Sequence, residues 1–169
     1  MRSIWLLTLL LGVTLAPLHA LGEPRTLRWS DLIPGHLASK PIRPPAVDHD
    51  GPPSLEQFSP WGELPLDDLL VHELDGSDVR LAGYIVPLSM DAEQRIDEFL
   101  LVPYFGACIH VPPPPPNQVV YVTTADGLDA ARVHMAWVIQ GQMRVMTHRS
   151  PLADAGYTIA AQKIRLFGR

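Results

Sequence analysis

A chain of 169 residues with 13 Lys and Arg against 18 Asp and Glu carries a formal net charge of −5. It therefore offers no basic surface for phosphate and is a poor candidate for nucleic-acid binding. The length suits one domain with a buried core, and a single cysteine excludes an internal disulfide framework.

The chain opens with one basic residue, Arg2, then an apolar run from Ile4 to Leu15, then small residues up to Ala20 and Gly22. This order is that of a cleavable secretory signal. The run is shorter than the ~20 residues a spanning helix needs. The expected organisation is a signal over 1–20, a Pro-rich extended arm over 21–65 and a small β-barrel domain over 66–169. Loss of Arg2 with the signal leaves 12 basic residues against 18 acidic ones, so the exported chain carries about −6.

The arm holds eight prolines between Pro34 and Pro65. Proline fixes φ and removes a donor, so a regular helix or central strand is excluded there. Leu27 to Pro34 has enough apolar mass to dock on the domain, with Trp29 and Trp61 as packing anchors.

Beyond the arm, Leu66 to Leu74 reads as a short helix and Asp75-Gly76-Ser77 as a turn. Strands are expected at Val79 to Leu88, Glu98 to Val102, Cys108 to Val111, Gln118 to Thr123, Ala131 to Ile139, Gln142 to Met146 and Tyr157 to Ile164. Gly83 marks a bend or bulge in the first. Short strands at this spacing imply a mainly β fold, a small OB-like barrel with the Pro-rich arm at its N-terminal side.

Phe99 to Gln118 carries the chemistry. Taken as extended, Phe105, Ala107, Ile109 and Val111 face the core, while Gly106, Cys108 and His110 face away from it. The roots of Cys108 and His110 then lie roughly 6.6 Å apart, and an ion with bonds of about 2.0 to 2.3 Å can bridge them. Two ligands do not make a site. Glu98 could add a carboxylate, and His72, His134 and His148 are further donors. A thiolate with an imidazole suits zinc. Copper(I) is the softer alternative, with Met135, Met143 and Met146 near the later histidines. The plain alternatives are a packed thiol, a hydrogen-bonded surface histidine and strand methionines. Pro112 to Pro116 forms a donor-free polyproline rod, either a spacer or a ridge for a partner. A Cys-His catalytic pair is disfavoured, since no third residue orients the base.

Glu98 to His110 with the proline run and Asn117-Gln118 resembles a bacterial exported family, the domain of unknown function 3299. Trp29 to Pro34, Gly83 to Leu88 and Ala153 to Tyr157 are similar to its other segments. The resemblance implies a periplasmic protein, often encoded beside an envelope ABC transporter and a His-rich exported protein in zinc-responsive clusters. It favours zinc over copper and implies a metal-binding accessory role beside that transporter. It implies no enzymatic activity. A non-catalytic docking module with a structural Cys108 is the alternative.

Overall fold

Strand β2 (Asp78–Met90) is shared by two neighbours and so closes a barrel. Its first half pairs antiparallel with β5 (Ala136–Arg149) from Asp78 to Tyr84, and its second half with β3 (Arg95–Val102) from Tyr84 to Met90. β3 pairs with β4 (Val120–Asp129), β4 runs parallel to β6 (Asp154–Leu166), and β6 pairs back onto β5. The ring β2-β3-β4-β6-β5 is a five-stranded OB-like barrel, with β1 (Arg25–Leu27) added in parallel to β2. This computed structural model describes residues 23–38, 64–107 and 113–168. The expected signal segment, Trp61 and the strand expected at Cys108 to Val111 lie outside them. Among the described residues no helix is long and apolar enough to cross a membrane.

Alternation builds the interior. Val79, Leu81 and Ile85 of β2, Phe99 and Leu101 of β3, Val120 and Val122 of β4, Ile139 and Met143 of β5, and Tyr157 and Ile159 of β6 all enter one buried cluster. Gly83 sits where β2 passes from one partner to the other. A Cβ there would lie 2.7 Å from the Val102 carbonyl oxygen and 3.0 Å from the Trp29 ring. Gly83 is thus a point of close approach rather than a bulge. The register breaks of β2 come later, between Pro87 and Met90.

The start of the arm is seated on this core. Leu27 and Leu32 are buried in the main cluster, and each contributes on the order of 2 kcal/mol of apolar burial. Trp29 donates from Nε1 to the Ala82 carbonyl at 2.7 Å, and Gln118 donates from Nε2 to the Trp29 carbonyl at 3.0 Å. The packing role expected for Trp29 is what the structure shows.

Three expected elements differ. Leu66 to Leu74 is not one helix but two 3-10 turns, Leu66–Leu69 and His72–Leu74, because Leu70 and Val71 adopt extended dihedrals and turn inward toward the barrel. The two strands expected on either side of Gly141 are one, β5. The register of β5 against β6 shifts between Gln140 and Gly141, where a Cβ would lie 2.3 Å from the Ala160 carbonyl oxygen. The start expected at Ala131 is instead a 3-10 turn, Ala130–Arg132, whose first free N–H groups are capped by the Asp129 carboxylate, accepting from Ala131 N at 2.9 Å.

Candidate functional site

The barrel wall has a second apolar face. Odd and even residues of a strand point to opposite sides, so the neighbours of the core residues face outward. Val86 of β2, Leu100 and Val102 of β3, Val119, and Ala153 and Ala155 beside and in β6 form a second buried cluster there. Tyr84, Leu88 and Tyr121 pack against it half-buried. An outward face this apolar needs a cover. The chain leaving β3 supplies it, since Ala107 is fully buried in the same cluster.

This cover is not a strand. Residues 105–107 form a turn, and Gly106 takes a positive φ of 83°. Phe105, expected on the core, is 64% exposed, and its ring meets the edge of Tyr84 at 5.9 Å between centroids. The reason is local. The left-handed residue takes the chain out of the extended conformation, so the strict alternation assumed from Phe105 onward does not hold through Ala107. Ala107 is buried as expected, but against the outer cluster rather than the barrel interior.

Cys108 and His110 lie outside the described residues. The chain is described again from Pro113. Pro114 is buried, and a 3-10 turn follows over Pro116–Gln118. Within that turn Asn117 is 1% exposed, and its Oδ1 has no hydrogen-bond partner among the described residues. A buried acceptor left alone costs about 1–3 kcal/mol.

Glu98 is on the outer face, half-buried in β3. Across the β3–β4 pair it lies diagonal to Tyr121, with Thr123 opposite Glu98 and Tyr121 opposite Leu100. Partial burial, then the neighbouring Glu98 carboxylate, push the Tyr121 phenol up to about 12. His148, of β5, stacks on the other part of Tyr121, with ring centroids 3.6 Å apart and planes 7° from parallel. Glu98, Tyr121 and His148 therefore form one polar column rising from the second apolar cluster. His134 is exposed in the turn after the 3-10 segment. His72 is exposed and lies 3.3 Å from the Asp67 carboxylate. Neither belongs to this column. Met143 is buried in the main core, while Met135 and Met146 are exposed.

Among the described residues, no group of three or more His, Cys, Asp or Glu side chains is placed to hold a metal ion. What the column offers by itself is a carboxylate and an imidazole. Tyr121, which joins them, is a residue that the sequence reading missed. Its one signal was its outward place between Val120 and Val122, both of which enter the core.

Comparison with known proteins places the chain. A crystal structure of a DUF3299 family protein from Pseudomonas aeruginosa PAO1 is similar to it at 40% identity and a TM-score of 0.73, covering 88% of this chain and 99% of that one. The yobA protein of Bacillus subtilis is 14% identical over 55% of this chain and 98% of its own, with a TM-score of 0.32. No curated protein matches. A family model described as a protein of unknown function, DUF3299, matches residues 29–166. From Trp29 to the end of β6, the chain belongs to the DUF3299 family.

Proposed function

We propose that this is an exported, periplasmic metal-binding accessory protein, which takes zinc through Cys108 and His110 with Glu98 as a third ligand and serves an envelope ABC transporter. The observation that carries the reading is the burial of Ala107 on the outer sheet face. The only thiol of the chain, Cys108, is the next residue in the sequence, and the outer face carries Glu98 and His148. An unpaired thiol in an oxidising compartment fits a metal ligand, and thiolate, imidazole and carboxylate are zinc donors. Copper(I) has less support, since Met143 is buried in the main core.

The deciding experiment is zinc stoichiometry after mild purification of the exported protein. Near one zinc per chain in the wild type, lost in Cys108→Ser/His110→Ala, is expected. Full stoichiometry in the double variant would overturn the reading.

A second reading, a docking module with no metal, draws on the exposure of Tyr104 and Phe105 beside Tyr84. Exposed aromatic residues of this kind anchor protein interfaces. A Cys108 thiol that resists alkylation until the protein unfolds, in protein free of metal, would favour it.

A further inference from the structure

β4 and β6 run together only from the Val120–Tyr157 pair to the Thr123–Ala160 pair. Beyond it they part. Residues 161–166 of β6 keep β5 on one side, and among the described residues no strand pairs with them on the other. β4 leaves its second neighbour as well. Ile96 of β3 faces Leu128 and Glu98 faces Thr123, so residues 124–127 bulge out of that ladder. Two strand edges therefore stand open toward each other, and an open edge is a template for a further strand.

The bulge is a built feature. Gly127 takes a positive φ of 61°, and a Cβ there would lie 2.9 Å from the Arg95 side chain. Arg95 in turn donates from its guanidinium to the Gly127 carbonyl at 2.8 Å. Bulges recur beside functional sites. Between the edges lies a cleft of about 130 Å³. Its apolar lining, Leu128, Ala161 and Ile164, belongs to the main core or packs on it, and Thr124, Asp126 and Lys163 line it as well. A space of this size takes one medium side chain, since a cavity of roughly 150 Å³ holds one benzene. A peptide fits such a place better than an apolar ligand, because each of its residues brings a backbone donor and acceptor to the edges.

Charge selects the peptide. The chain carries −5, yet residues 136–166 hold Arg144, Arg149, Lys163 and Arg165 against Asp154 alone. Arg80, Gln140 and Lys163 lie side by side across β2, β5 and β6, and Arg80 donates to Gln140 Oε1 at 3.4 Å. Lys163 brings this basic face to the cleft, and Arg95 adds a cation at the bulge. Asp126 is the carboxylate on the β4 side. We propose that the cleft between β4 and β6 takes an extended acidic peptide segment of another protein, which adds a strand between the two edges and turns one side chain toward Leu128 and Ile164. This is recognition by strand addition. It depends neither on a metal nor on the exposed aromatic residues. The β6 edge of a second copy is a poorer occupant, because β5 already takes one of its sides and the cleft asks for a strand with both sides free.

A short capped peptide of alternating Glu and Val, titrated into the purified protein, tests this. Saturable binding is expected, with the largest amide NMR shifts in residues 124–128 and 161–164. The same peptide with Lys in place of Glu should bind at least about 10-fold more weakly. The acidic peptide N-methylated at alternate residues should also lose about 10-fold or more, because one of its edges no longer donates. Lys163→Glu should weaken the acidic peptide about 10-fold. Arg149→Glu alters the net charge equally away from the cleft and should cost less than about threefold. No saturable binding, equal binding of the acidic and basic peptides, or equal losses in the two variants would overturn the proposal. Largest shifts at Tyr84, Tyr104 and Phe105 would overturn it too, in favour of docking on the exposed aromatic residues.

Discussion

The hydroxyl of Tyr157 donates to the carbonyl of Leu32 at 2.9 Å and accepts from the backbone N–H of Val71 at 2.8 Å. One buried phenol on β6 thus fastens the docked start of the arm and the segment before β2 to the barrel. Two backbone groups from distant parts of the chain find their partners in it. Tyr157→Phe keeps the ring and removes both bonds. A loss of about 2–4 kcal/mol is expected, because a donor and an acceptor are stranded in a poorly hydrated place. Denaturant unfolding of the two proteins measures it. A change below about 0.5 kcal/mol would mean that water replaces the hydroxyl.

The same burial predicts an alkaline limit. Burial pushes the Tyr157 phenol up to about 12 from an ordinary value of 10.0, outweighing the opposing effect of the Val71 hydrogen bond, and Tyr121 is pushed to a similar value. The folded protein then holds protons that the unfolded chain releases between about pH 10 and 12. Stability is full below pH 10 and falls as pH rises through that window. Urea midpoints measured across it should decline. In Tyr157→Phe the decline should be shallower, with the Tyr121 share remaining. Equal slopes in the two proteins would contradict the assignment.

Gly156 tests how the proline run is anchored. A Cβ at this position would meet the Leu70 side chain at 2.3 Å and the Pro116 carbonyl oxygen at 2.9 Å. The leucine can shift, but the backbone carbonyl is held in a 3-10 turn. Gly156→Ala should therefore cost about 1–3 kcal/mol through overpacking. It should also raise the alkylation rate of Cys108 by displacing the chain that follows it. A destabilised variant with unchanged thiol reactivity would show that the turn and the thiol are uncoupled.

Much of the barrel was legible in the strands themselves. Val120-Tyr121-Val122-Thr123 alternates so clearly that its period could only be that of a strand with one buried face. The docking of Leu27 to Pro34 was legible in its apolar mass. Gly83 and Gly141 were ambiguous for one reason. A glycine inside a strand signals either a break in the ladder or a close approach by another chain segment, and the distinction lies in the neighbour. For Gly83 the neighbours are Val102 and Trp29, and for Gly141 it is Ala160. The expected alternation through Phe105 failed on Gly106, where a single positive φ breaks the extended conformation.

The sequence by itself determined the acidic charge, the lone thiol, the strand periods and the proline-stiffened arm, because each depends only on residue identity and local spacing. Only the tertiary structure decided which outward-facing side chains meet. Glu98, Tyr121 and His148 lie on three different strands, and no period within one strand relates them. Strand order in the closed barrel sets that meeting, and it arises from pairing between segments far apart in the chain.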